Sequence, residues 1–292
     1  VDEPVLEIDR PERRGRVEVV HALPVDGAVA GIDEARVRSE LPGLESGRGG
    51  DDLEGGSGDV EAGACAVELG VPFSDPIADG PRLQEAAQRA LDAGTTLDGI
   101  LQMLARFRAA GGRVPVAIMS YANPLRRHGW SLTAQRCATA GADAWIVPDL
   151  PVEEAEEMRA AAAAQGLGTV FFVAPTSGDL RAAASCAAST AFVYVLGRVG
   201  VTGRATAFDS SVTAFMDRVG ALARTPVAVG FGISAPEDVR IATAHADVAI
   251  VGTALVQRLH EARTAGRDAA VAAHQFVHGL VSAVTVPSRP QR

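Results

Sequence analysis

The chain has 292 residues, of which 47% are hydrophobic and 22% are charged, and its formal net charge is −9. A chain of this length and composition can bury the core of one large or two small domains. Its negative charge argues against a nucleic-acid partner. No stretch approaches the roughly 20 apolar residues that a membrane-spanning helix needs. All 27 basic residues are arginine, which excludes Schiff-base catalysis and a P-loop, because both need a lysine amine.

Residues 1–62 carry the whole net charge. They contain 16 acidic residues and 7 arginines, whereas residues 63–292 contain 20 of each. The run 43–63 is acidic and rich in glycine, which is typical of a flexible linker. Before it, the sequence predicts one strand at 17–24 and a weak helix at 29–41. We therefore predict an atypical, acidic N-terminal segment that supplies a candidate first strand. The N-terminus lacks a secretory signal pattern, so the expected location is the cytoplasm.

From residue 64 onward, short apolar runs alternate with alanine-rich amphipathic stretches. This alternation is typical of parallel strands that are buried on both faces and connected by helices. Seven such strands, with an eighth at 17–24, predict an α/β protein with a (β/α)8 TIM barrel over residues 63–285, in which the first βα unit is degenerate or replaced, and a tail at 286–292. No G-x-G-x-x-G follows a strand, which weakens a dinucleotide-binding interpretation. The predicted strands are 64–69, 114–120, 143–148, 168–173, 191–196, 226–231 and 247–252, and the predicted helices are 84–111, 132–140, 152–164, 179–188, 208–223, 235–245 and 253–283.

Acidic residues follow the strand at 64–69, at the barrel end where active sites of this fold lie. Glu68 ends the strand, and Asp75 and Asp79 lie in the proline- and glycine-rich loop behind it. Two carboxylates at a barrel mouth can divide acid and base roles. Aspartate beside proline or glycine also commonly caps turns, so either aspartate could be structural. Glu68 is harder to explain in that way, because a glutamate within an apolar strand needs a partner or a function.

Glycine-rich turns follow the last two predicted strands, at 230–234 and 251–256. In barrels of this kind, the loops after strands seven and eight commonly form a phosphate site from backbone N–H groups and a helix N-terminus. Ordinary tight turns also use glycine, but two in succession, in a chain without lysine, favour phosphate. A third glycine-rich loop, at 197–203, contains Arg198 and suits a mobile lid or a further phosphate contact.

The histidines and cysteines predict no metal site. The six histidines lie outside the strand ends, and the three cysteines share no metal-like spacing. His274 and His278 are four residues apart on a predicted helix, but a solvated helical face explains them better. Cys65 and Trp145 lie within predicted strands, where core packing is the simpler interpretation.

The segment ELGVPFSDPIADGP, residues 68–81, resembles the signature of the tryptophan synthase alpha chain family. The resemblance continues in the family's order through further motifs and covers residues 63 to about 265. These motifs are MSYANPL (119–125), VPDLPVEE (147–154), VFFVAPTS (170–177), RVGVTG (198–203), GFGISAPEDV (230–239) and IVGTALV (250–256).

The resemblance implies a barrel that cleaves indole-3-glycerol phosphate to indole and glyceraldehyde 3-phosphate. It also implies a beta-chain partner, in an alpha2-beta2 heterotetramer, that holds the pyridoxal phosphate, so that this chain needs no cofactor of its own. Glu68 and Asp79 match the family's catalytic glutamate and aspartate. The matching substrate-binding positions are Tyr194, Tyr121, Thr202, Gly203, Gly230, Gly232, Gly252 and Thr253. The segments that match surfaces communicating with the beta chain are 74–75, 121–124 and 149–151.

The resemblance fails before residue 63. The family's first strand, turn and helix are not recognisable there, which favours one alternative, a catalytically impaired barrel that acts as a regulatory or binding partner. A second alternative is a stand-alone lyase that releases free indole, which differs from the alpha subunit only in lacking a beta partner and which the sequence does not separate from it. Arg82 also departs from the family, which usually has a small or hydroxyl residue at that position, and its guanidinium could pair with Asp79.

Overall fold

The computed structural model describes residues 16–22, 63–197, 210–230 and 232–282. Within these ranges, eight parallel strands form a closed barrel in which each strand pairs with the next in chain order. The strands are β1 (Arg16–Ala22), β2 (Val67–Gly70), β3 (Val116–Met119), β4 (Ala144–Ile146), β5 (Gly168–Val173), β6 (Phe192–Leu196), β7 (Val227–Gly230) and β8 (Val248–Val251). The predicted (β/α)8 architecture is confirmed.

The barrel closes through β1, which pairs with both β2 and β8. Val20 is in register with Val67 of β2. The pairing with β8 contains one register shift, between Glu18 and Val20. β1 overlaps the segment at 17–24 that the sequence indicates as a candidate first strand, so the sheet edges that its loss would expose are paired.

Several sequence predictions lie outside the described residues. These are the helix at 29–41, the linker at 43–62, the glycine-rich loop from residue 198 and the tail at 286–292. Within the described ranges, no helix is long and apolar enough to cross a membrane. The same ranges contain no group of three or more His, Cys, Asp or Glu residues that could hold a metal ion.

The strands are buried on both faces. Ala117, Ile146 and Ile250 belong to one cluster that fills the barrel interior. Ile118 and Val229, which alternate with interior residues along their strands, pack outward in the clusters that the helices cover. This double burial is why the strands read as nearly continuous apolar runs rather than as an alternating pattern.

Helices cover the outside of the barrel. Two of them begin with proline, which suits a first turn because the N–H of that position needs no acceptor within the helix. The described helices are α1 (Pro81–Asp92), α2 (Leu97–Ala109), α3 (Ala122–Arg126), α4 (Trp130–Ala140), α5 (Glu156–Ala164), α6 (Asp179–Ala188), α7 (Ser210–Leu222), α8 (Pro236–His245), α9 (Thr253–Thr264) and α10 (Ala269–Val281), with a 3-10 turn at Val152–Glu154.

The stretch predicted as helical at 84–111 is two helices, so the sequence prediction is wrong about its continuity. The chain breaks after α1 at Gly94, whose φ of +78° favours glycine. Thr96 then caps α2, because its side-chain oxygen accepts the backbone N–H of Gly99 at 3.2 Å. The stretch at 253–283 divides in the same way, between α9 and α10.

Arg108, on α2, ties together the loops that precede β3 and β4, at the amino end of the barrel. Its guanidinium donates to Asp143 Oδ2 at 2.8 Å, and the same carboxylate oxygen accepts the backbone N–H of Val116 at 2.7 Å. The guanidinium also donates to three backbone carbonyl oxygens between 2.7 and 3.1 Å away, which belong to Gly112, Val114 and Gly141. One planar group with several donors in fixed directions therefore satisfies four acceptors.

We expect Arg108→Ala to lower the free energy of unfolding by about 2–3 kcal/mol, because half-buried carbonyl groups and a carboxylate lose a charged donor. Arg108→Lys should restore little of this, since one ammonium group cannot reach four acceptors. Arg136→Ala is the control, because Arg136 pairs with the exposed carboxylate of Asp98, and exposed pairs contribute less than about 1 kcal/mol. Urea unfolding measures the three variants, and an Arg108→Lys variant as stable as the wild type would contradict the expectation.

Candidate functional site

Glu68 lies inside the barrel, near the carboxyl end of β2. It is in register with Ala117 of β3, which belongs to the interior cluster, and Ala66, two residues earlier, packs against the same cluster. Glu68 is only 1% exposed and is the one acidic residue among the described residues that is buried. Because burial of a carboxylate is costly unless surrounding groups stabilise its charge, this position is the first candidate for chemistry.

Tyr194, on β6, faces the same interior space. Burial raises the pKa of its hydroxyl well above the ordinary value, and the negative charges of Glu68 and Asp79 raise it further. Its ring packs against Phe172 of β5, with ring centroids 4.6 Å apart. The structure therefore brings Tyr194 close enough to Glu68 and Asp79, which lie more than 100 residues earlier in the sequence, for their charges to act on its hydroxyl. The rings of Tyr194 and Phe172 form an aromatic surface beside these carboxylates.

Gly230, at the end of β7, makes room for Tyr194. A Cβ atom at Gly230 would lie 2.2 Å from the Tyr194 hydroxyl oxygen, which is closer than atoms approach without a bond. The sequence interpretation matches Gly230 to a phosphate-binding position. The structure adds a second reason for glycine there, since the tyrosine side chain occupies the space that a side chain would need.

Asp79 lies in the loop between β2 and α1, and Tyr121, from the loop after β3, contacts this loop. Tyr121 is 4% exposed, and its hydroxyl oxygen accepts the backbone N–H of Ala78 at 2.9 Å. Its ring lies 5.4 Å from that of Phe73, at the start of the same loop. Burial, followed by the charge of Asp79, raises the pKa of the Tyr121 hydroxyl. Tyr121 therefore contacts the loop rather than standing in an open pocket.

The exposed part of this loop carries Asp75 and Ile77. Ser74 donates its hydroxyl hydrogen to Asp75 Oδ2 at 2.5 Å in an exposed contact, and Ile77 is 81% exposed, so both side chains are accessible to solvent. Arg82 lies in the first turn of α1 and contacts Glu85 at 4.0 Å, with both side chains exposed. The contact that the structure shows for Arg82 is therefore along its own helix, whereas the sequence suggests a pairing with Asp79.

The glycine turns after β7 and β8 lie beside two helix N-termini that differ in their free N–H groups. At α8, the N–H groups of Ser234 and Ala235 both donate to Asp238 Oδ2, at 3.0 and 2.9 Å, so the helix's own carboxylate occupies this end. At α9, Gly252 precedes the exposed first residue, Thr253. The N-terminus of α9 is therefore the better candidate for an external anion.

Gly232 lies in the turn between β7 and α8. It has φ +81°, a conformation that glycine adopts without strain, and its Cβ direction is open space. Thr202 and Gly203, which the sequence analysis assigns to the same phosphate site, lie outside the described residues, as does Arg198.

Three residues of this region were missed by sequence reasoning. Phe73 and Phe172 pack against the two tyrosines, and the Gln84 side-chain amide donates to the Asp79 carbonyl oxygen at 2.9 Å. An aromatic residue in a strand is as typical of a core as of a pocket, so its type alone gives no signal. The two-residue alternation of Phe172 with interior positions of β5 is the signal that could have found it.

Comparison of this chain with known proteins identifies one family. A family model described as Tryptophan synthase alpha chain matches residues 58–285. The tryptophan synthase alpha chain of Chloroflexus aurantiacus is 40% identical over 226 residues, which cover 77% of this chain and 84% of the relative. That of Roseiflexus castenholzii is 44% identical over 201 residues, which cover 69% and 77%.

Solved structures give the same result. Tryptophan synthase subunit alpha from Legionella pneumophila superposes with a TM-score of 0.75 at 29% identity and covers 92% of each chain. A chain of the tryptophan synthase α2β2 complex from Pyrococcus furiosus also has a TM-score of 0.75, at 31% identity, with 92% of this chain and 98% of that chain covered. The family model, the sequence relatives and the solved structures therefore all indicate the family that the motifs resemble, and the solved structures share the barrel fold.

We expect Gly230→Ala to lower the free energy of unfolding by about 1–3 kcal/mol, because the Tyr194 ring must move to accommodate the new methyl group. Gly220→Ala is the matched control. Gly220 lies within α7 with nothing within 4 Å of its Cβ direction, so alanine there should stabilise the helix by about 0.5–1 kcal/mol. Chemical unfolding of both variants measures the difference, and a Gly230→Ala variant at least as stable as the wild type would show that the close approach to Tyr194 does not matter.

Proposed function

The chain belongs to the tryptophan synthase alpha chain family, and we propose that its barrel site cleaves indole-3-glycerol phosphate to indole and glyceraldehyde 3-phosphate with Glu68 and Asp79 as the catalytic residues. The observation that carries the assignment of residues is the buried carboxylate of Glu68, which shares the barrel interior with Tyr194 and lies within electrostatic reach of that tyrosine together with Asp79. This carbon–carbon lyase reaction is the one associated with the family.

The reaction needs proton transfers and no amine nucleophile. Protonation of C3 of the indole gives a cationic ring, after which the bond between C3 and the glycerol side chain breaks. The electron pair of that bond restores the indole, while loss of the proton from the adjacent hydroxyl gives the aldehyde. Glu68 moves these protons, and Asp79 accepts a hydrogen bond from the indole N–H and stabilises the positive charge. A chain without lysine can therefore perform the cleavage.

The remaining site residues bind the two ends of the substrate. Tyr194 and Phe172 supply an aromatic surface for the indole, and Tyr121 closes that side of the site. The phosphate binds at the glycine turns and at the N-terminus of α9, through backbone N–H groups. We assign the phosphate site to Gly230, Gly232, Gly252 and Thr253, together with Thr202 and Gly203 of the loop outside the described residues.

A beta chain is the proposed partner, in an alpha2-beta2 assembly. The α2β2 complex from Pyrococcus furiosus is among the structures that this chain resembles. Asp75 and Ile77 are exposed on the loop that carries Asp79, so a partner bound there can influence the catalytic loop directly. The pyridoxal phosphate belongs to that partner, this chain uses no cofactor, and a biosynthetic reaction of this kind is expected in the cytoplasm.

Indole release from indole-3-glycerol phosphate, measured with and without a tryptophan synthase beta chain, tests the proposal. Turnover that rises on addition of the beta chain supports the alpha-subunit function. Fast turnover that the beta chain does not change supports a stand-alone lyase instead. Absence of turnover in both cases, from folded protein, would overturn the lyase proposal and leave the binding or regulatory role.

We expect Glu68→Gln to reduce indole release by at least about 100-fold, because the amide cannot transfer a proton. Folding should be retained, since glutamine has the same shape and removes a buried charge. Glu85→Gln, an exposed position on α1, is the matched control and should leave turnover unchanged. Wild-type turnover in the Glu68 variant would refute the proton-transfer role.

We expect Thr253→Asp to raise the KM for indole-3-glycerol phosphate by about tenfold or more, because a carboxylate at the N-terminus of α9 repels the substrate phosphate. The same change should leave the fold intact or stabilise it by about 0.3–1 kcal/mol, since an acidic residue interacts favourably with the helix dipole at this end. Thr253→Ser is the control. Steady-state kinetics and thermal melting separate the two effects, and an unchanged KM would place the phosphate elsewhere.

A further inference from the structure

Two side chain–backbone hydrogen bonds connect the loops after three consecutive strands. The Tyr121 hydroxyl, from the loop after β3, accepts the N–H of Ala78 in the loop after β2 at 2.9 Å. Asp149, from the loop after β4, accepts the N–H of Ala122 through Oδ1 at 2.8 Å. Since Ala122 directly follows Tyr121, the second bond fixes the backbone from which the tyrosine side chain emerges.

The tyrosine ring has little freedom of its own. Tyr121 is 4% exposed and packs against Phe73 at the start of the loop, so its hydroxyl is held at a fixed point beneath Ala78. The hydrogen bond between the Ala78 N–H and this hydroxyl is half-buried, so water competes for the N–H group less than it does in a fully exposed loop. The residue next to Ala78 is Asp79.

We propose that Tyr121 is a positioning residue for Asp79, whose carboxylate it orients by holding the neighbouring backbone N–H and by donating its own hydroxyl hydrogen to that carboxylate. The inference rests on the proposed function, because it concerns the aspartate that accepts the indole N–H. It assigns Tyr121 a role in ordering the catalytic loop, whereas the family resemblance implies only a place in the substrate site.

The protonation state of the tyrosine suits this role. Burial raises the pKa of the Tyr121 hydroxyl, the charge of Asp79 raises it further, and a hydrogen bond to the Asp79 side chain acts in the same direction. Asp149 contributes a smaller effect of the same sign. The hydroxyl therefore keeps its proton across neutral and moderately alkaline pH, and it can donate to Asp79 while it accepts from Ala78.

A second anchor acts on the other side of Asp79. The Gln84 side-chain amide, on α1, donates to the Asp79 carbonyl oxygen at 2.9 Å, and the Asp79 N–H donates to the Pro76 carbonyl at 3.0 Å. Gln84 is exposed, so this bond should contribute less than the half-buried bond between Ala78 and Tyr121. The two anchors together hold the backbone on both sides of the carboxylate.

Tyr121→Phe tests the proposal, because it keeps the ring and removes only the hydroxyl. We expect kcat for indole release to fall about 10- to 100-fold, as misplacement of a catalytic group does, with KM changed less than about threefold. Gln84→Ala should lower kcat in the same way but by less, about two- to tenfold. Since Gln84 is exposed, this second variant should fold even if the first is destabilised.

Thr169→Val is the matched control for loss of a buried hydroxyl. Thr169 Oγ1 donates to the Ala188 carbonyl at 2.8 Å, near the amino end of β5 and away from the site, so this variant should melt at a lower temperature with kcat unchanged. An equal kcat in wild-type and Tyr121→Phe protein would overturn the positioning role, and so would a loss confined to KM, which would make Tyr121 a substrate contact. An inactive wild type would overturn the proposed function and this inference together.

Discussion

Every strand of this barrel hydrogen-bonds to a neighbour on both sides, because β1 joins β2 to β8 and the parallel sheet closes. Closure brings the carboxyl ends of all eight strands to one rim around a narrow apolar interior. Glu68 of β2, Tyr194 of β6 and Gly230 of β7 can share that interior only because the sheet curves back on itself. An open sheet would spread these three strands along a line and would leave two edges unpaired.

The closed sheet also places the contacts that stabilise the fold and the residues of the proposed site at opposite ends of the barrel. At the amino end of the strands, Arg108 and Asp143 satisfy the backbone groups of adjacent loops, with donors and acceptors matched. At the carboxyl end, β2 carries the buried carboxylate of Glu68, and the loops carry exposed apolar and acidic side chains and glycine turns. A buried carboxylate costs stability unless surrounding groups stabilise its charge. The distance between the two ends allows the loops at one end to be adapted to a reaction while the other end maintains the fold.

The electrostatics of the carboxyl end are unusual because arginine is the chain's only strong base. Within the described residues, Tyr121 and Tyr194 are the hydroxyl groups on which the negative charge of Asp79 acts, and Glu68 also acts on Tyr194. Burial and this negative charge raise the pKa of both tyrosine hydroxyls. Both hydroxyls therefore stay neutral and can donate hydrogen bonds. The polar groups of the site are consequently carboxylates, neutral hydroxyls and backbone N–H groups. Carboxylates suit proton transfer, and N–H groups suit the binding of a phosphate.

The sequence by itself determined the alternation of strands and helices, the barrel, the family, and the importance of Glu68 within an apolar strand, because these depend on local pattern and on motif order. It did not determine the break at Gly94, since the alanine-rich stretch on both sides is helical by composition. Only the tertiary structure decided that β1 closes the barrel, that Gly230 lies against Tyr194, and that Tyr121 holds the loop of Asp79. Those contacts join residues more than 30 positions apart, and their formation depends on strand register and on the direction of each side chain, which no local pattern encodes.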